Sequence, residues 1–252
     1  MQSRDRQFRY NSKFTNYEYT IEVYIPNEAP PKTGFPIIYV LDGQSYFEFV
    51  KYAIKLQSTN SVKTKVEPSI VVGICHDEQE MRQRRFYEFT APAKHYSFPK
   101  HTKGNNMNLA NYGGAPLFQK FMKEELKPLI EKKLAVDTNK QILFGHSLAG
   151  YYTIWCYLTH CHDFQTYLAI SPSIWWNGKE LYDYLQKADP AELQKLFIAV
   201  GEHEGFMVED AHAFFKKLPT LSKELFIASG ENHASVVPTT ISRALRFKGK
   251  DS

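Results

Sequence analysis

One serine in this chain is placed as a nucleophile would be. Phe144-Gly145-His146-Ser147-Leu148-Ala149-Gly150 follows a short apolar run and opens a helical pattern. A sharp strand-to-helix turn, with small residues flanking a serine, lifts the hydroxyl clear of a sheet in the pattern G-x-S-x-G. Here Ala149 holds the fifth place and Gly150 follows one step later. Composition alone yields such a match in roughly one chain of this length in five. The weight therefore rests on its placement between strand and helix.

A serine hydroxyl is a weak nucleophile until a base accepts its proton. With a strand–elbow–helix serine, the partners follow in the order serine, acid, histidine, beyond the ends of later strands. The run Leu196–Val200 leads into Gly201-Glu202-His203-Glu204, and either glutamate can serve as the acid. Glu204 is preferred because it lies further into the loop, with Glu202 as the alternative; the other reading of each is a solvated surface carboxylate. The run Leu225–Ala228 leads into Ser229-Gly-Glu-Asn-His233, which makes His233 the candidate base. His95, His101, His160, His162 and His212 lie where no strand ends, and His146 is expected to pack beside the elbow.

An oxyanion formed at the carbonyl needs backbone N–H donors. One is expected from Leu148, next after the serine, and a second from Gly43 or Gln44, after the apolar run Phe35–Leu41. A metal is the competing chemistry. Cys156, His160, Cys161 and His162 cluster, but their spacing fits no usual zinc pattern. No G-x-G-x-x-G and no Walker-type loop is present, so neither metal nor cofactor is expected.

The elements that must hold these residues alternate. Tyr17 to Ile25 has apolar residues on one parity, the pattern of a half-buried strand. Continuous apolar runs at 35–41, 69–75, 141–144, 167–170, 196–200 and 225–228 suit strands buried on both faces of a parallel sheet. Helical spacing appears at 117–134, 148–158, 181–187, 208–218 and 237–246, and Pro128 is expected to kink or split the first of these. Strands alternating with helices predict an α/β fold, a mainly parallel central sheet with helices on both faces. No linker or repeat divides residues 1–252, which predicts a single domain. The stretch from His76 to Gly114 shows no periodic element. It interleaves Arg82, Arg84, Arg85, Lys94, Lys100 and Lys103 with aromatics, and long connections of this kind often form lids or binding loops.

Composition narrows the class. A net charge of +4, from 31 basic and 27 acidic residues, lacks the basic face of a nucleic-acid binder. The three cysteines, Cys75, Cys156 and Cys161, suit a reducing compartment. A polar Met-Gln-Ser-Arg-Asp-Arg start predicts no signal peptide, and no apolar run is long enough to span a bilayer, so a cytoplasmic protein with no membrane partner is expected. Aromatics reach 15%, a surplus that suggests apolar walls or stacking platforms.

Several motifs carry a family resemblance. They include Tyr39-Val-Leu-Asp-Gly43, Arg84-Arg85 with Phe89-Thr90, Gly113-Gly114-Ala115, Ser171-Pro-Ser-Ile-Trp-Trp176 and His233-Ala-Ser-Val-Val-Pro238. In these, from Tyr17 to Phe247, the sequence resembles the esterase D-like branch of α/β-hydrolases, and within it the enterobactin- and bacillibactin-type siderophore esterases. The resemblance implies hydrolysis of the ester bonds of a trilactone siderophore to free its iron, with Ser147 as nucleophile and His233 as base. It also implies that the region around Arg84 and Arg85 faces the substrate, and Trp175 and Trp176 are expected to rim the serine as further substrate-binding residues. A ferric tris-catecholate is an aromatic trianion, and an arginine offers both charge and a stacking plane. The structural alternative for the two arginines is pairing with Glu80 or Glu88. The alternative activity is a general short-acyl esterase or thioesterase; a binding module on an inert scaffold is the non-enzyme reading.

Overall fold

The apolar runs form the middle of a sheet, as their burial on both faces requires. The structure, a computed structural model, describes residues 5–98 and 111–249; Lys100, His101 and Lys103 lie outside the described residues. Its strands are β1 (Arg6–Ser12), β2 (Tyr17–Tyr24), β3 (Phe35–Leu41), β4 (Ile70–Cys75), β5 (Val136–His146), β6 (Thr166–Ile170), β7 (Lys195–Gly201) and β8 (Lys223–Ala228). They form one eight-stranded sheet in the order β1-β2-β4-β3-β5-β6-β7-β8. Pairing is antiparallel between β1, β2 and β4 and parallel from β4 through β8.

The helices are α1 (Gly43–Ser58), α2 (Ser61–Thr64), α3 (Met81–Glu88), α4 (Ala115–Lys120), α5 (Lys127–Lys133), α6 (Leu148–Thr159), α7 (Trp176–Lys179), α8 (Leu181–Lys187), α9 (Phe206–Lys217) and α10 (Val236–Arg246). Side chains alternate across a strand, so the sheet builds two cores. On one face Ile38, Val40, Phe144, Leu168 and Phe197 meet α1 and α10 through Phe47, Val50, Ile54, Val237 and Ile241. On the other, Tyr39, Leu41, Leu143 and Ala169 meet α4, α6 and α9. Helix α6 is buried nearly all round because it runs between the sheet and other helices.

Register positions the site. His146 pairs with Ile170, Ile170 with Ala199, and Gly201 with Ala228. The carboxyl ends of β5 to β8 therefore lie level, and the loops beyond them face one another. Ligand crevices of open α/β sheets form at such ends.

Beyond the one-turn helices α2 and α7, three elements escape the sequence patterns. Strand β1 is an edge strand whose Phe8 and Tyr10 alternate with polar residues, too weak a signal to stand out. Helix α1 carries Phe47, Val50 and Ile54 at helical spacing, so its signal was available. Helix α3, Met-Arg-Gln-Arg-Arg-Phe-Tyr-Glu, reads as polar but forms the first part of the 76–114 connection, followed at once by the fully buried Phe89, Thr90 and Ala91. This part of the connection is anchored in the core. At Pro128 the expected break takes another form. Phe121–Leu126 takes wider π-helical turns, and the backbone stays helical through Leu126 and Lys127 into α5, whose start carries Pro128.

The anchor of α3 is Glu88. Its carboxylate accepts from the Tyr19 hydroxyl at 2.6 Å, pairs with His76 Nε2 at 2.7 Å and receives the Arg84 guanidinium. Removing one member of a fully buried charged cluster costs about 3–5 kcal/mol, since the others lose their partner. Glu88→Ala is expected to lower the melting temperature by on the order of 10 °C in a chain of this size, read by thermal denaturation.

Candidate active site

Ser147 stands at the turn between β5 and α6 with φ 60° and ψ −117°, a conformation rare outside glycine. Small neighbours allow the turn. A side chain on Gly145 would meet the Ala149 carbonyl oxygen at 2.3 Å, and one on Gly150 would press on Ile170 O and Pro172 Cα at 3.0 Å. The tightest place is thus Gly145, with Gly150 the next, and Ala149 fits where the motif has its final glycine. Backbone bonds fix the turn: Ser147 N donates to Ile170 O at 3.0 Å, while Ser173 N and Tyr151 N donate to Ser147 O at 3.0 and 2.9 Å.

The loops beyond β7 and β8 bring two partners to the serine. His233 Nε2 lies 3.0 Å from Ser147 Oγ, and His233 Nδ1 lies 2.6 Å from Glu204 Oε2. A carboxylate only accepts, so Nδ1 carries the proton and Nε2 is free to accept from the serine hydroxyl. The Glu204 side chain is 1% exposed, and its second oxygen accepts from Ser171 Oγ at 2.5 Å and Gly201 N at 2.6 Å. Burial opposes the charge on Glu204, but the hydrogen bonds from His233, Ser171 and Gly201 outweigh it and hold the carboxyl below its usual range. Glu202 points elsewhere. It accepts from Ser229 Oγ and Gly230 N, both at 2.8 Å, in solvent.

The serine, its histidine and Arg85 line a cavity of about 250 Å³, together with Asp42, Tyr46 and His146. Leu148 is the first residue of α6, and Gly43 and Gln44 are the first two of α1. First-turn amides have no acceptor inside their own helix, so these N–H groups and the two helix dipoles favour a negative charge. Gly43 is small for a reason other than substrate access: a side chain there would meet Cys75 Sγ at 2.7 Å and the backbone of β4 at 2.8 Å.

The four residues expected to face the substrate separate. Arg85 stays at the cavity, its Nε donating to Asp42 Oδ1 at 2.7 Å. Arg84 turns the other way, onto buried Glu88 and the Tyr17 ring, its guanidinium 4.3 Å from the ring centroid. Trp176, 2% exposed, packs among Phe86, Phe98 and Tyr112, so it is a wall of the core rather than an open surface. Trp175 is partly exposed and lines a separate hollow of about 440 Å³ with Phe98, Phe206 and Lys179. A hollow of about 540 Å³ lies at the opposite end of the strands, lined by Ser69, Thr166 and Lys195, away from the serine. The Cys156–His162 cluster does not converge: Cys156 is buried in α6 and His162 pairs with Glu192. Among the described residues no group of three or more metal-binding side chains forms, and no helix is long and apolar enough to cross a membrane.

Two residues the sequence marked, Ser171 at the head of a family motif and His146 expected to pack beside the elbow, take contacts the sequence did not show. Ser171, in a loop after β6 at φ 44°, reaches Glu204 only because β6 and β7 are neighbours. His146, beside the serine, bonds to Tyr46 and to the backbone of His233, elements far apart in sequence.

Comparison with known proteins identifies the family of the chain. The Esterase family model, described as "Putative esterase", matches residues 12–233. Ferri-bacillibactin esterase BesA of Bacillus subtilis is 36% identical over 94% of this chain and 86% of its own length. The crystal structure of BES protein from Bacillus cereus superposes with a TM-score of 0.86 at 35% identity, covering 100% of this chain and 98% of that one. Siderophore hydrolase EstA from Aspergillus nidulans shares the fold, with a TM-score of 0.80 at 22% identity over 97% and 94% of the two chains.

Ser171→Ala removes one donor to a buried carboxylate and is expected to cost about 1.5–3 kcal/mol of stability at neutral pH. Because Glu204 has a depressed pKa, its stabilisation is present above the ordinary glutamate range and lost as pH falls through the folded value. The gap between wild type and Ser171→Ala should therefore be full at pH 7 and close in acid. Urea unfolding at several pH values measures it.

Proposed function

The chain belongs to the esterase family whose model spans residues 12–233 and is a carboxylester hydrolase, and on that premise we propose that it is a serine esterase of catecholate trilactone siderophores. One observation carries the reading: the Ser147–His233–Glu204 chain of hydrogen bonds opens into the same cavity as Arg85. The 36% identity to a ferri-bacillibactin esterase supports the substrate class.

In this reading Ser147 Oγ attacks the ester carbonyl while His233 Nε2 takes its proton. Glu204 holds the ring in the Nδ1–H tautomer and stabilises the imidazolium. The oxyanion faces the first-turn amides of α6 and α1, Leu148 and Gly43 or Gln44; one such donor is worth about 10²–10³ in rate. His233 returns the proton to the departing alkoxide, and water then cleaves the acyl-enzyme by the same route. Arg85 has Nη donors beyond the Nε given to Asp42, and they suit an anionic catecholate arm. The cavity of about 250 Å³ takes the reacting ester, not the whole ligand, so the rest of a siderophore lies over the rim. That small volume equally suits a short-acyl ester, which is the competing reading.

Ser147→Ala is expected to reduce hydrolysis by roughly 10⁴-fold or more, with the fold intact by circular dichroism. Product analysis with ferric trilactones and p-nitrophenyl acetate separates the two substrate readings; a preference of several orders of magnitude for the acetate favours the short-acyl one. Arg85→Gln should raise KM for the ferric trilactone by about tenfold, the loss of one charged hydrogen bond, and affect the acetate far less. Equal effects on both would confine Arg85 to its bond with Asp42.

A further inference from the structure

His146 is the residue before the serine, at the end of β5, and it is nearly fully buried. Both ring nitrogens have partners. Nε2 lies 3.1 Å from the backbone oxygen of His233, and Nδ1 lies 2.8 Å from the Tyr46 hydroxyl. A carbonyl oxygen only accepts, so the proton sits on Nε2 and Nδ1 accepts from Tyr46. The direction of the whole chain is thereby set: Tyr46 O–H to His146, His146 N–H to the His233 carbonyl. The ring also lies against the His233 ring, centroids 4.6 Å apart.

From this arrangement we infer that His146, oriented by Tyr46, is a positioning residue that sets where His233 stands relative to Ser147. The inference rests on the serine-esterase reading. The His233 side chain is 44% exposed, so packing alone leaves it loosely held. Glu204 fixes one ring nitrogen, and His146 fixes the backbone from which the ring projects. Because His146 and Ser147 are adjacent on one rigid strand end, the nucleophile and the anchor of its base move together. Without that tie the 3.0 Å separation of Ser147 Oγ and His233 Nε2 depends on a surface loop.

The role requires a neutral ring. The groups facing His146 are Tyr46 from α1, Arg85 from α3, Glu204 beyond β7 and His233 itself. Burial first, then the neighbouring His233, push its pKa down to about 3, against the pull of Glu204. It therefore carries no charge beside the imidazolium that His233 becomes in turnover. Glutamine presents the same donor and acceptor without titrating; phenylalanine keeps the flat ring and loses both bonds.

The test compares His146→Phe, His146→Gln and Tyr46→Phe by kcat and KM on p-nitrophenyl acetate, the pH profile of kcat/KM, and the rate of Ser147 labelling by a fluorophosphonate. His146→Phe should lower kcat and labelling together by about 10- to 100-fold, the scale of a sub-ångström to ångström misplacement, with KM changed less than about threefold. His146→Gln should restore most of the rate and keep the acid limb of the profile in place. Tyr46→Phe should show a smaller loss of the same kind, and it keeps the inference testable if His146→Phe does not fold. Wild-type labelling rates in both Tyr46→Phe and His146→Phe, an effect confined to KM, or a shifted acid limb in His146→Gln would overturn it. Full activity of Ser147→Ala would instead remove the serine-esterase reading, so the two failures are distinguishable.

Discussion

Ser147 is held at φ 60° and ψ −117°, and much of the structure follows from the need to hold it there. A non-glycine residue in such a conformation costs about 1–3 kcal/mol, so it persists only where its surroundings over-determine it. Here they do. The backbone N–H and C=O of Ser147 are tied to Ile170, Ser173 and Tyr151, and Gly145 and Gly150 supply the space. The strain presents the hydroxyl at the start of α6, beside the first-turn amides of that helix. The helix behind it is buried nearly all round, so the turn cannot relax by moving α6 outward.

The second constraint is a buried negative charge. Glu204 is almost wholly enclosed, and an enclosed carboxylate favours its neutral form unless it is hydrogen-bonded. Three donors from three places supply those bonds: the Gly201 amide at the end of its own strand, Ser171 from the neighbouring strand end, and His233 from the next. The parallel register that sets these strand ends level thus brings together the donors that hold the Glu204 carboxyl below its usual range. A second buried carboxylate, Glu88, anchors helix α3 through Tyr19, His76 and Arg84, and α3 brings Arg85 to the cavity that Ser147 lines.

The elbow, the order of the strands along the chain and the positions of the acid and base candidates were readable because each leaves a local mark. An apolar run ends, a glycine follows, and a polar residue sits just beyond. The strands were marked by burial on both faces and the long helices by spacing. Edge strand β1 and helix α3 left no such mark, since half-exposed elements carry polar residues. The two arginines show the limit most sharply. Arg84 and Arg85 are adjacent and chemically identical, yet one meets Glu88 and the other Asp42, because successive side chains of a helix point about 100° apart.

By itself, then, the amino-acid sequence determined the α/β alternation, the family to which the chain belongs and the residue types at the turn. Those depend on composition and on neighbours within a few positions. Tertiary structure alone set Glu204 rather than Glu202 against His233, turned Arg84 and Trp176 inward, and joined Ser171 to Glu204 and His146 to the His233 backbone. Each of those outcomes is a distance between side chains on different strands or helices. Such distances come from sheet order, register and packing of the whole chain, which no short stretch of sequence contains.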